Sequence, residues 1–214
     1  MPYRHTEFTR KKREDRRKSL IESARYLFST NGYENTTVKH IVKEAGTSIG
    51  NFYFYFQTKE ELLLSVAKEI NDAVFLDIEL LADPKYTAEL NSAIYIYTFT
   101  RHWYNNLEIA RILIQGQIDL DTRNRLLSMH KEKLIELTFG KGTIIDRFPL
   151  DILIAAWQGI WLGVLELKLH DTDNSETEYW AYRIIEISLS AAGCNSEILT
   201  STLDDLKKIT KNIS

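Results

Sequence analysis

The stretch Thr47–Phe56, TSIGNFYFYF, sets hydroxyls, a glycine and a carboxamide against five consecutive rings. Each of these types has a use against a nucleic acid. Hydroxyls and free amides at a helix start suit a phosphate. An Asn side chain pairs bidentately with adenine, and an apolar group meets the thymine methyl. The ring run lacks strand-like alternation, although a fully buried strand would tolerate it. A little upstream, Arg10–Lys18 reads RKKREDRRK. Such a run suits a phosphate backbone, and equally a solvated arm or the polar face of a helix.

Constellations for catalysis are thin. The sequence contains no GxSxG, HExxH, P-loop or GxGxxG pattern, and its five His, at 5, 40, 102, 130 and 170, have no metal-ligand spacing. Asp171-x-Asp173-Asn174 resembles half of a calcium loop but lacks the central Gly and distal Glu, so it reads as loop and cap. The single Cys194 excludes an internal disulfide framework and reads as an idle or buried thiol. No enzyme activity, cofactor or metal is expected.

With 214 residues and 44% hydrophobic content, the chain can bury a core in one domain or two small ones. Only 3 Pro and 9 Gly argue against a turn-dense β fold. The net charge of -3 hides an asymmetry: residues 1–60 carry 12 Lys+Arg against 7 Asp+Glu, leaving 15 against 23 for the remainder. A basic first third on an acidic body points to a polyanionic partner. The charged N-terminus has no apolar core of a signal peptide, and the longest apolar run, Ile152–Leu165, is short of the roughly 20 residues of a membrane span. A cytoplasmic protein is expected.

The elements around the ring run are short and well marked. Leu20, Ile21, Ala24, Leu27 and Phe28 form one helix face, ended by Asn31-Gly32. Val38, Ile41, Val42 and Ala45 form the next, with Thr36 or Thr37 as N-cap and Gly46 after the last turn. Ser48 can cap a third helix. At about 100° per residue that helix gathers Phe52, Tyr55 and Phe56 on one side and Ile49, Gly50, Tyr53 and Phe54 on the other. The first side can plug a core. The second would be exposed, and exposed rings beside a glycine need a ligand to explain them. Two helices joined by a short Gly turn, behind a basic arm, suit a helix-turn-helix placed on DNA.

The stretch TTVKHIVKEAGTSIGNFYFYFQTKEELL resembles the DNA-binding domain of the TetR family of bacterial transcriptional regulators over residues 17–65. The likeness rests on Thr37 at the helix start, Ala45-Gly46, Ser48, Gly50, the Tyr53-x-Tyr55-Phe56 ending, and Lys59 with Leu62. It implies a DNA surface made of Thr36, Thr37, Lys39, Ser48, Ile49, Gly50, Asn51, Tyr53, Phe54 and Lys59, with Lys59 on a backbone phosphate. Where the family often has Lys and His, this chain has Ile49 and Phe54. Asn51, with Ser48 and Lys39, is then the leading candidate for a polar base contact.

Downstream the pattern is helical throughout. Glu60 to about Leu81 carries a stripe of Leu62, Leu63, Val66, Ile70, Val74 and Ile78, and Thr58-x-x-Glu61 is a capping box. Asp83-Pro84 stops this helix and starts a ring-rich one that closes near Asn105-Asn106. Then come a short helix in LEIARILIQGQ, one capped by Asp121, one from Pro149 to about His170, and one opened by a Ser175-x-x-Glu178 box and running to about Ala192. Residues 195–214 form a polar tail with room for one loose helix. The expected architecture is all-α: a basic arm (1–15), a three-helix helix-turn-helix DNA-binding domain (16–62), a helical ligand-binding and dimerisation domain (63–194), and the tail.

The resemblance further implies that the last two large helices pair with those of a second subunit, through Gly159, Gly163 and Trp180, where a tightly packed monomer core is the plain alternative. It also implies an effector pocket at the ring-rich helix, with Tyr95, Phe99, His102, Trp103, Trp157 and Trp161 as lining, against plain core packing of the same rings. The expected function is that of a homodimeric repressor on a near-palindromic operator, released by a small, largely apolar effector. A helix-turn-helix activator without a ligand is the alternative, and a helical enzyme with a basic arm ranks below both.

Overall fold

The computed structural model describes residues 3–114, 149–170 and 176–211. The described elements are helices: α1 (Tyr3–Asn31), α2 (Val38–Glu44), α3 (Ile49–Tyr55), α4 (Lys59–Leu81), α5 (Ala88–Tyr104), α6 (Leu107–Ile114), α7 (Leu150–His170), α8 (Thr177–Ala191) and α9 (Ser196–Thr210). They fall into two compact units. The first gathers the residues up to Ile70 and those of α6 from Glu108, and the second gathers Asn71–Leu107 with α7, α8 and α9. The division therefore falls inside α4, between Ile70 and Asn71.

In the first unit, α1 is longer than its apolar face requires. Leu20, Ile21, Ala24, Leu27 and Phe28 are buried, while residues 8–18 are exposed on every side. The basic arm is thus helical from Tyr3 onward. Between Tyr3 and Asn31 there is neither Gly nor Pro, and exposed Arg10–Glu14 and Lys18–Glu22 pairs at i,i+4 spacing add modest support. Gly32, at φ +79°, ends α1 in a conformation that disfavours any side chain. Ile41 and Val42 of α2, Phe52 of α3, Phe56 at its end, and Leu62, Leu63, Val66 and Ile70 of α4 are buried as well. The spacing-derived faces of α1, α2 and α4 are those that are buried.

The second unit is built around α5. From Ala93 to Thr100 every α5 residue is buried, and α8 and α9 both pack on it. Pro84 does not open α5, as the sequence suggested. Asp83 makes a turn, accepting from Tyr86 N–H (2.9 Å) on its carbonyl and from Lys85 N–H (2.8 Å) on its carboxylate. Thr87 then caps α5 by accepting from Leu90 N–H at 3.2 Å. The tail is no loose helix either. Asn195 caps α9 with its side-chain oxygen on Ile198 N–H (2.9 Å), and Thr202, Leu206 and Thr210 are buried against the unit. The expected Ser175-x-x-Glu178 box at the start of α8 falls partly outside the described residues. Glu176 is the N-cap without a side-chain hydrogen bond, and the Glu178 carboxylate accepts from Tyr97 OH at 3.0 Å. Burial, and then that carboxylate, push the Tyr97 phenol up to about 12. Ser175 and the expected Asp121-capped helix lie outside the described residues. No helix among the described residues is long and apolar enough to cross a membrane.

Candidate nucleic-acid interface

Two short helices of about two turns each build the site, and their ends are specified by single side chains. Thr37 caps α2: its Oγ1 accepts from His40 N–H (3.3 Å), and His40 Nδ1 accepts from Thr37 N–H (3.4 Å). His40 takes the place that Glu or Gln fills in the usual capping box. Gly46, at φ +60°, carries the chain through the turn, where Thr47 N–H reaches back to Val42 O at 2.9 Å. Ser48 then caps α3 by accepting from Asn51 N–H at 3.2 Å.

On α3 the rings divide by face. Phe52 is 0% exposed and Phe56 1%, whereas Ile49, Tyr53 and Phe54 are 43%, 56% and 65% exposed. Tyr55 is half-buried at the margin. Gly50 is exposed, and a Cβ built there would meet only Ser48 Oγ at 3.9 Å. The protein's own packing therefore does not require a glycine, while close approach of a ligand would. Asn51 donates from Nδ2 to Thr47 Oγ1 at 2.9 Å, which fixes its carboxamide and leaves its oxygen and second N–H available. Lys39 and Thr37 are exposed on α2.

One sequence-derived contact is corrected, and a second has partners inside the protein. Thr36 is fully buried, and its hydroxyl is shared inward between Gly32 O (2.7 Å) and Leu27 O (3.2 Å), so it fastens the α1–α2 turn and cannot face DNA. Lys59, half-buried, donates from Nζ to Tyr33 O (2.8 Å) and Thr36 O (3.1 Å), and it lies 3.9 Å from the Tyr33 ring centre. Two of its three ammonium donors thus hold the start of α4 on the α1–α2 turn. Tyr33 completes this clamp, and sequence reading missed it. Its OH donates to Glu60 Oε1 at 2.9 Å. Burial, and then the Glu60 contact, push the Tyr33 phenol up. The Glu60 carboxyl is held below its ordinary range, first by its own backbone N–H and then by the Tyr33 and Thr58 hydroxyls, against burial. The Thr58 cap of α4 is present, but the Glu61 carboxylate returns to Gln57 N–H (2.6 Å) rather than to Thr58.

In the second unit, five of the six suggested lining residues meet. The Phe99 ring centre is 6.1 Å from those of Tyr95 and Trp103, 5.0 Å from Trp157 and 4.9 Å from Trp161. His102 makes its polar contact elsewhere, with Asp77 of α4 at 2.8 Å. Trp103 Nε1 donates to the fully buried Asn71 (3.2 Å), but the indole N–H groups of Trp157 and Trp161 are buried without an acceptor among the described residues. On α7, Gly159 and Gly163 are exposed with no atom within 4 Å of a built Cβ, and Trp180 of α8 is half-buried beside the exposed Tyr179. Among the described residues, no three His, Cys, Asp or Glu side chains could hold a metal ion.

Residues 20–66, which contain α2, α3 and the start of α4, match the family described as bacterial regulatory proteins, tetR family. The HTH-type transcriptional repressor AcnR of Corynebacterium diphtheriae is 28% identical over 171 residues, which cover 75% of this chain and 86% of AcnR. The chain carries a TetR-family DNA-binding domain. A shorter likeness, 42% identity over 77 residues, joins 35% of this chain to 26% of the length of the uncharacterized regulator YuxN of Bacillus subtilis. The TetR fold also extends past the matched domain. FadR of Bacillus subtilis, solved in complex with stearoyl-CoA, superposes with a TM-score of 0.66 at 18% identity, over 80% of this chain and 97% of that one. The chain is therefore a TetR-type DNA-binding transcriptional regulator and not an enzyme.

The Lys59 clamp gives the first test. Lys59→Met keeps the stem and withdraws the donors from two backbone carbonyls, so urea denaturation is expected to show a loss of about 1–3 kcal/mol. The salt dependence of DNA binding is expected to stay unchanged, whereas a phosphate contact would cost about 0.9 in the log–log slope.

Proposed function

We propose that the protein is a homodimeric repressor that sets α3 of each copy into the major groove of a near-palindromic operator and releases it on binding a small, largely apolar effector. The observation that carries this reading is the face of α3 formed by Ile49, Gly50, Tyr53 and Phe54, exposed on a capped helix whose other side buries Phe52 and Phe56. Thr37, Lys39, Ser48 and Asn51 surround it with groups suited to phosphate and base edges. Such a protein acts on DNA in the cytoplasm.

The dimer reading is supported by what α7 and α8 leave uncovered. Ile152, Ala156, Gly159, Gly163 and Leu167 follow one another at three- and four-residue steps along α7, and all are exposed. On α8, Tyr179 and Ile187 are 53% and 48% exposed. An apolar stripe with small residues at its centre suits close helix packing across a two-fold axis. Replacing both Gly159 and Gly163 by Leu is expected to weaken the dimer and DNA binding together. Sedimentation showing an intact dimer would place the interface elsewhere.

The effector reading is supported by the ring set around Phe99. A core packed for stability alone leaves few buried donors unmatched, and each costs roughly 1–3 kcal/mol. Two unmatched indole N–H groups on one face of α7 suit a ligand with an apolar body and an accepting oxygen. Stearoyl-CoA, bound by the FadR of like fold, has both. All four tryptophans, Trp103, Trp157, Trp161 and Trp180, belong to the second unit, so effector binding is expected to change their emission even without DNA. An effector that loosens operator a hundredfold must prefer the free form by about 2.7 kcal/mol, and operator must weaken the effector equally. Titrations of apolar, aromatic and cationic compounds, with and without operator, test this. Equal affinity in both titrations excludes a compound as effector, and no response to any set would favour a regulator without a ligand.

A further inference from the structure

The α3 surface lacks a cation of its own, yet one stands directly over it. The Arg13 guanidinium of α1 lies 5.8 Å from the Phe54 ring centre, within cation–π range. One turn on, Arg17 makes the equivalent approach to Phe56 at 5.2 Å and donates to Ser65 Oγ at 3.1 Å. The two arginines differ in what remains free. Phe56 is buried and Arg17 is bound to α4, so that pair serves packing. Arg13 and Phe54 are both exposed, and among the described residues no carboxylate pairs with Arg13.

We infer that Arg13 and Phe54 act as one DNA contact, in which the ring positions the guanidinium and the guanidinium binds a backbone phosphate. This inference rests on the DNA-binding reading of α3. Phe54 is the sixth of seven α3 residues. In a helix-turn-helix the N-terminal residues of the recognition helix reach base edges, so its C-terminal end is closer to the backbone at the edge of the half-site. An arginine with its planar group fixed on an aromatic face loses less freedom on binding a phosphate than one on a free stem. The helical form of the arm matters here, because it fixes Arg13 one turn before the anchored Arg17. Phe54 is then a positioning residue and not the reader of a thymine methyl.

These two roles separate experimentally. Full-length protein carrying Arg13→Ala, Phe54→Leu, Phe54→Trp or the Arg13→Ala/Phe54→Leu pair would be titrated by fluorescence anisotropy between 50 and 200 mM KCl. The duplexes are an operator enriched from random sequence on the wild-type protein and a scrambled duplex of the same length. Arg13→Ala is expected to weaken both duplexes by a similar factor, roughly five- to tenfold, and to flatten the salt slope by about 0.9. Phe54→Leu is expected to act in the same direction on both duplexes, the pair to be no worse than Arg13→Ala alone, and Phe54→Trp to retain wild-type binding. Additive losses, an unchanged slope for Arg13→Ala, or a Phe54→Leu loss confined to the operator would overturn the pairing while leaving α3 on DNA. A wild-type protein that binds neither duplex would overturn the DNA reading as well.

Discussion

A seven-residue helix has no stability of its own, because nucleation costs more than two turns of hydrogen bonds return. The proposed DNA-reading surface therefore exists only as long as α3 is pinned from behind. Phe52 and Phe56, at 0% and 1% exposure, are the pins, and the Ser48 cap closes the open end of the helix. Burying two large side chains is worth several kcal/mol in transfer terms, well above the roughly 1 kcal/mol of a cap. That balance releases the other face from packing duties. Ile49, Gly50, Tyr53 and Phe54 can then be chosen for what they touch.

The same division of labour runs through the rest of the first unit. Polar groups that look like DNA contacts in isolation are partly consumed in holding α2, α3 and α4 in place. Thr36 ties the α1–α2 turn, Lys59 ties that turn to α4, and Tyr33 joins both to Glu60. Rigid placement of a small reading surface matters as much as its composition, because a recognition helix free to tilt loses the geometry of base contacts.

Much of this was legible in the sequence for one reason: the deciding interactions are local. The two faces of α3 follow from a 100° step, and the Thr37, Ser48 and Thr58 caps from residue type beside an apolar face. What could not be read depends on partners far along the chain. Lys59 finds the carbonyls of residues 26 and 23 positions earlier, and Glu178 is taken by a tyrosine 81 positions earlier. Choosing between Thr36 and Thr37 needed to know which one α1 covers. The C-terminal segment looked loose because its polar composition hides a narrow buried stripe, Thr202, Leu206 and Thr210, in which two of three residues are threonines. In the second unit the ring-rich face was clear from composition, but the sequence does not say which indoles find acceptors.

The proposed function depends on α3 as the reading element, used once by each copy of a dimer. The most direct measurement is enrichment of random duplexes on the purified full-length protein, followed by hydroxyl-radical footprinting of the winning sequence. A dimer that reads through α3 is expected to select two related half-sites in inverted orientation, centred about 34–36 Å apart or at a multiple of that spacing, with protection symmetric about the dyad. Enriched sequences with no inverted repeat, or recovery of no preferred sequence at all, would contradict the proposed function.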